Sequence, residues 1–330
     1  MTQRRTFLQS TAALGAAAAL ARAGSVFAQG AWPNKPVRVI NPFPAGGGTD
    51  VFLRPVSARL SQVLGQQFTV ENLGGAGGTV GAAAAAKAPP DGYTLFCGAV
   101  HHTIAESLYT KLPYNLEKDF VPITVIAYIP NVLVVHPKHT NINTFADFLA
   151  YAKSNPGKLN FGSAGNGTSH HLTVELFKQL TGTFMTHIPY RGAGPMMQDL
   201  LAGQVDFAFD GMGTSAAQIK SGKLKALAVT SAKRVPAFPN IPTMEEVGIK
   251  GYQATTWYAL WAGRGTPAEV VTRTQQEIAK IMQEPGIKEF WFNQGADLGG
   301  QSPAEFGKFV HSEIEKWAKV VKASGAKIDL

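Results

Sequence analysis

The stretch VRVINPFPAGGGTDVFLRPVSARLSQVL (residues 37–64) decides the class of fold. It opens as a short β-rich run (37–43) and passes through a glycine loop, after which Leu53, Val56, Leu60, Val63 and Leu64 recur at helical spacing. The reading is strand, glycine loop, helix. The same order follows at once, with a strand at 68–71, a GGAGG loop (74–78), an alanine-rich helix to Ala88 and a strand at 93–97. This alternation predicts an α/β fold with a largely parallel sheet. Pro55 lies inside the first helix, where it removes an amide hydrogen bond and is expected to kink or loosen it.

A second block repeats the logic. VLVVHP (132–137) reads as a strand, residues 145–154 as a helix, and LNFGSAGNGTSHHL (159–172) as strand, glycine loop and helix start. QVDFAFDG (204–211) and LKALAVTS (224–231) add strands, while AEVVTRTQQEIAKIMQ (268–283) and residues 303–323 read as amphipathic helices. Two similar blocks predict two similar lobes. The 330 residues allow two domains at about 100–200 residues each. With 45% hydrophobic and 16% charged residues, disorder, collagen and coiled coil are excluded.

Residues 1–28 read as an export signal: a basic start at Arg4 and Arg5, an apolar run over 11–20, and the small-residue site Val26-Phe27-Ala28, with cleavage expected near Ala28. RRTFLQS (4–10) has the twin-arginine form, and a general secretory signal with two chance arginines is the alternative. No later stretch reaches the roughly 20 apolar residues of a membrane span, so a protein free in the periplasm is expected. The net charge of +8 includes Arg4, Arg5 and Arg22, so the processed chain would carry +5. So modest a surplus concerns solubility and steering.

In an open parallel sheet, ligands sit beyond the carboxyl ends of strands, where loops present backbone amides at positive helix ends. Both glycine loops fit. In PFPAGGGTD (42–50), Gly46, Gly47 and Gly48 are free of side-chain barriers, and Thr49 or Asp50 is placed to cap the helix. In GSAGNGTSHHL (162–172), Ser163, Asn166, Thr168 and Ser169 surround Gly165 and Gly167 with donors suited to a carboxylate or phosphate oxygen. Two such loops in matching contexts point to anion binding.

Other chemistries find less support. Neither loop has a dinucleotide or P-loop pattern. His170-His171 and His101-His102 invite a metal, and His171 lies one turn before Glu175. Yet adjacent helical histidines point about 100° apart, and no metal-ligand motif is present, so His102 and His171 are expected to line a pocket or bond a helix start. No nucleophile elbow occurs, although Ser163, His171 and Asp210 can be drawn as a triad. Cys97, the one cysteine, reads as a buried inert thiol. Scattered charges, as in EIEKWAKVVK (313–322), argue against nucleic acid. No cofactor is expected. Asp210 reads as a strand-end cap or a pocket residue, and Phe43, Tyr190 and Trp257 lean weakly towards an aromatic acid.

From Pro33 onward the chain resembles the Bug family of periplasmic substrate-binding proteins of tripartite tricarboxylate transport systems. The resemblance rests on PFPAGGGTD, APPDGYTL (88–95), SLYTKLPYN (107–115), KDFVPIT (118–124), GSAGNGTSHHL, PYRG (189–192), GQVDFAFD (203–210) and PNIPTMEEVG (239–248). It implies a two-lobed type II periplasmic-binding-protein fold: two mixed, mostly parallel sheets flanked by helices and joined by two crossover hinge segments. Lobe 1 would comprise residues 29–129 plus 254–330, with the C-terminal helices returning to it, and lobe 2 residues 130–253. The resemblance further implies a small carboxylate gripped by amides of the loops 45–49 and 163–168, with Asp210 at the far end of the ligand. The resulting candidate set is Phe43, Ala45, Gly46, Gly47, Thr49, Asp50, His102, Ser163, Asn166, Gly167, Thr168, His171, Tyr190, Asp210 and Trp257. The implied partners are an organic acid and the membrane subunits of a secondary transporter, with a monomer as the default. His101-His102 stands where relatives carry small polar residues. An exported hydrolase and a ligand-sensing partner of a signalling protein are the alternatives.

Overall fold

The computed structural model describes residues 32–324, so the expected export signal lies outside the described residues. β1 (Val37–Asn41) runs parallel to β2 (Phe68–Asn72) on one side and to β3 (Thr94–Ala99) on the other. The helix α1 (Gly48–Leu64) links β1 to β2 and buries Phe52, Leu53, Val56 and Leu60 on one face. It runs on through Pro55 and stops at Gly65, whose φ of 69° is the left-handed conformation that ends helices. α2 (Thr79–Ala86) and α3 (Val100–Leu108) complete this α/β unit.

The second unit contains α4 (Phe145–Ser154), β5 (Asn160–Ser163), α5 (Ser169–Thr181), β6 (Thr186–Pro189), α6 (Ala193–Leu201), β7 (Phe207–Gly211), α7 (Met212–Lys220) and β8 (Lys225–Val229). β5 lies between β6 and β7, parallel to both. Each unit has its own core. Phe96, Phe120, Trp257 and Trp261 fill the first, and Phe148, Phe161, Phe177, Phe207, Phe209 and Tyr252 the second.

Two long strands join the units. β4 (Phe120–Val135) has 16 residues: its first part pairs antiparallel with β9 (Thr255–Gly263) as far as Pro130↔Thr255, and its last five residues pair with β7. One ten-stranded array therefore curls through both lobes, eight of its strands in the order β2-β1-β3-β9-β4-β7-β5-β6 and the other two paired with β4 off this path. Parallel pairing belongs to the outer strands, and the crossing strands run antiparallel to their neighbours. This is the two-lobed architecture with two crossover segments that the resemblance implies.

The expected strand at 132–137 is the end of β4. Its first twelve residues were illegible because Pro122 and Pro130 argue against a central strand. The chain absorbs Pro122 at a register shift between Pro122 and Thr124, and Pro130 where pairing with β9 ends. After β9 come α8 (Ala268–Ile281), α9 (Pro285–Asn293), β10 (Asp297–Leu298) and α10 (Pro303–Ser324). α10 returns to the first lobe and sinks Phe306, Val310, Trp317 and Val321 into its core.

Candidate functional site

The loop after β1 is shaped by Asp50, in the first turn of α1. Its Oδ2 accepts from the Gly46 amide at 3.0 Å and Arg54 Nε at 2.7 Å, and its Oδ1 from Asn41 and Asn72 Nδ2, each at 3.2 Å. Burial raises the Asp50 pKa, but the hydrogen bonds from Arg54, Gly46 and Asn72 outweigh it and hold the carboxyl below its usual range. Four donors occupy both oxygens. Asp50 therefore builds the loop and is corrected as a ligand contact. Ala45 and Gly46 are exposed, Gly47 and Thr49 are buried, and Phe43 meets the His101 ring edge-on at 5.2 Å.

The loop after β5 is held by two imidazoles. Ser163 Oγ lies 2.6 Å from His187 Nε2, and the Gly167 amide donates to His171 Nδ1 at 3.2 Å. The two rings stack 4.0 Å apart at 7°, and the Phe161 ring lies nearly parallel to His187 with centroids 4.7 Å apart. Thr168 Oγ1 donates to the Gly165 carbonyl at 2.7 Å, while Asn166 is exposed at the lip. Burial, with His171 and Lys178 nearby, pushes the His187 pKa down to about 3. Burial also lowers His171, so both rings are neutral at neutral pH.

Each loop meets the opposite lobe across a seam, the loop after β5 against residues 74–78 and the loop after β1 against the start of α6. Each Cα–H that faces a neighbour closely shows how near they stand: a Cβ built at Gly77 would lie 3.1 Å from the Asn166 carbonyl, and one at Gly194 would lie 3.0 Å from the Ala45 carbonyl. His101, at the start of α3, accepts the Ser169 amide of α5 on Nδ1 at 3.0 Å, so an imidazole of one lobe caps a helix of the other. Four helices begin at this seam, α1, α5, α6 and α7, and none is capped by the side chain of its own N-cap residue, α5 taking the His101 imidazole of the other lobe instead. α4, by contrast, is capped by Thr144. Uncapped helix starts present free N–H groups and a positive end of the helix dipole. Near these starts, Thr49 Oγ1, both His170 ring nitrogens and Asp210 Oδ1 are buried without a hydrogen-bond partner.

Several candidates prove to be structural. Trp257 belongs to the first lobe's core, 1% exposed, and its indole N–H donates to the buried Glu313 at 3.0 Å. Strand alternation turns its neighbour Tyr258 towards the seam, against Gly48. His102 accepts the Ala99 amide on Nδ1 at 3.0 Å and reaches the Gly78 carbonyl with Nε2 at 3.3 Å. Of the adjacent pair it is thus His101 that faces the other lobe. The Tyr190 hydroxyl is taken by Asp199 at 2.8 Å. The drawn triad does not form: Ser163 pairs with His187, not His171, and Asp210 binds Thr214 and Ser215 through Oδ2 at 2.5 and 2.6 Å. His187 escaped the sequence reading, and His101 and His170 entered it only as members of pairs that invite a metal. The 100° offset between adjacent helical residues was the available signal for His101 and His170, and nothing local marked His187.

Two α/β lobes joined by paired strands, with uncapped helix starts facing one another across the seam, define a clamp-type solute-binding protein. Residues 52–326 match the family described as tripartite tricarboxylate transporter family receptor. BugT of Bordetella pertussis is 36% identical over 299 residues, covering 90% of this chain and 91% of that protein. The solved structure of R. palustris Rpa4515 with adipate has a TM-score of 0.87 and 37% identity, over 91% of this chain and 100% of that one. MatC from Rhodopseudomonas palustris with bound malate has a TM-score of 0.83 and 32% identity, over 88% and 100%. The chain belongs to the TctC family of tripartite tricarboxylate transporter receptors, a family of binding proteins rather than enzymes. Among the described residues no helix is long and apolar enough to cross a membrane.

Proposed function

We propose that this chain is a periplasmic receptor that closes its lobes around a small organic acid and delivers it to the membrane subunits of a tripartite tricarboxylate-type transporter. The observation that carries the reading is the convergence of four helix starts from both lobes on one seam, three of them, α1, α6 and α7, without a side-chain cap. A carboxylate taken from water needs several oriented donors, and rigid helix ends supply them at little ordering cost. Amides of the loops 45–49 and 163–168, other than those of Gly46, Gly165, Gly167 and Thr168, which are engaged within the loops, are with Thr49 Oγ1 the donors for one carboxylate. The acids bound by Rpa4515 and MatC, adipate and malate, support this class of ligand. With lobe 1 formed by residues 29–129 plus 254–330 and lobe 2 by 130–253, capture is a hinge motion about β4 and β9.

The test is thermal unfolding of chain stripped of carried-over ligand by unfolding and refolding, against mono-, di- and tricarboxylates, aromatic acids and amino acids. A ligand at about 100 times its Kd stabilises by about 2.7 kcal/mol, a shift of several degrees. Such a shift, with the acid recovered unaltered, supports the receptor. No shift with any acid, or a chemically altered acid, overturns it. Loss of uptake of that acid on deleting either the receptor or the membrane subunits tests delivery, and uptake that persists without the receptor refutes it.

A further inference from the structure

The loops account for one end of a ligand, and the unpartnered buried atoms lie elsewhere on the seam. His170, the second residue of α5, is 2% exposed, and both its ring nitrogens lack a partner. Asp210, at the end of β7, is fully buried; Oδ2 is saturated by Thr214 and Ser215, and Oδ1 is free. The two residues face each other, with His170 Nδ1 3.8 Å from Asp210 Oδ1. That gap is too long for a direct hydrogen bond and suits one oxygen atom seated between them at ordinary hydrogen-bond length from each. Lobe 1 closes the position: His101 sets its ring against His170 at 6.1 Å between centroids, and Tyr258 stands against Gly211 with its hydroxyl 3.8 Å from the Cβ position there. Leaving a buried polar atom unpaired is costly, so three such atoms on two facing residues point to a ligand contact.

The chemistry of the partner follows from the donor count. Burial keeps His170 neutral at neutral pH, with Asp210 opposing the shift. A neutral imidazole offers one N–H and one lone pair, and the Asp210 carboxylate, which offers only lone pairs and faces Nδ1 at 3.8 Å, favours the tautomer with the proton on that nitrogen. A hydroxyl satisfies both at once, accepting from Nδ1–H and donating to Asp210 Oδ1. An ammonium donates to Asp210 but has no lone pair for Nδ1–H, and a second carboxylate sets a like charge beside Asp210. Resting on the carboxylate reading above, we infer that the preferred ligand is a hydroxycarboxylic acid whose hydroxyl bridges His170 and Asp210.

Titration calorimetry on stripped chain decides this, using straight-chain acids of three to six carbons in matched sets: the parent acid, its hydroxy, amino and keto derivatives, and the dicarboxylate of equal length. One hydroxy acid should bind at least about tenfold tighter than its parent, keto analogue and dicarboxylate, as expected for about 1.4 kcal/mol or more from a pair of buried hydrogen bonds. In His170→Leu and in Asp210→Asn that ratio should fall towards one, with His170→Asn, which keeps an N–H, recovering part of it. Circular dichroism establishes that each variant folds. Equal binding of parent, dicarboxylate and hydroxy acid overturns the inference while leaving the carboxylate receptor standing, as does a preference for the amino acid or a ratio unchanged in the variants. Binding of no acid at all overturns both.

Discussion

At the scale of single residues, Gly48 shows what the glycine run is for. Of the three consecutive glycines, only Gly46 takes positive φ, at 78°. Gly48 is helical and is needed for space, since a Cβ there would overlap the Tyr258 hydroxyl and lie 2.8 Å from its ring carbon Cζ. Gly48→Ala is therefore expected to cost about 1–3 kcal/mol through forced displacement. Tyr258→Phe, by removing the hydroxyl alone, should return part of that loss in the double variant, read as non-additive melting temperatures. Additive losses would mean the contact is not the cause. The run PAGGGTD announced a loop that approaches something closely, but which glycine met which neighbour depended on a tyrosine 210 residues away in sequence. Likewise His101 and His102 were legible as a pair facing two directions. Which one faced the cleft required knowing that the Gly78 carbonyl stands behind His102.

At the scale of elements, the loop between β5 and α5 depends on imidazoles that must remain neutral. His171 accepts the Gly167 amide, and His187 pairs with Ser163; the charged neighbours of the stack are Glu175 and Lys178. Protonating Nδ1 of His171 removes its acceptor, and protonating both rings sets two cations 4.0 Å apart. Both pKa values are depressed in the folded state, so the unfolded chain takes up protons first as pH falls. The stability these residues contribute is complete above the unfolded histidine pKa near 6.5 and is lost as pH drops from there towards about 3 for His187. Urea midpoints at pH 7.5 and pH 5 measure this. The native chain should lose more stability between them than His187→Asn, and equal losses would refute the role assigned to the stack. At this scale the sequence was a good guide where one period governed an element, as in α4, whose limits at Phe145–Ser154 match the expected helix. It failed where two prolines interrupted β4, and where TTWYALWAG, buried along nearly its whole length as β9, lacked the alternation of a half-exposed strand.

At the scale of the whole molecule, the repeated strand-loop-helix blocks foretold two lobes, whereas the packing of α10 on the first lobe rested on family resemblance alone, since no local pattern states where a helix returns. The joint between the lobes is a buried polar network. Thr256 Oγ1 donates to Asn131 Oδ1 at 3.0 Å and pairs with Ser169 Oγ at 2.9 Å, and Asn131 Nδ2 reaches Thr173 Oγ1 at 3.3 Å. Both crossing strands are thereby tied to the first turns of α5, the helix whose opening amide is held by His101 from the opposite lobe. A ligand that favours the closed state shifts the lobes only by the difference in its affinity for closed and open forms. Deleting a contact that bridges the lobes moves the same equilibrium the other way. His101→Ala removes the acceptor for the Ser169 amide, so the stripped variant should populate the open form more and show a larger radius of gyration by small-angle scattering. Saturating ligand should bring it back to the native closed value, and the apparent affinity should fall by up to about tenfold, because part of the binding energy is diverted to closing the lobes. An unliganded radius identical to that of the native chain would show that His101 does not hold the lobes together. A ligand-saturated variant that stays open would instead make the imidazole part of the closed site itself.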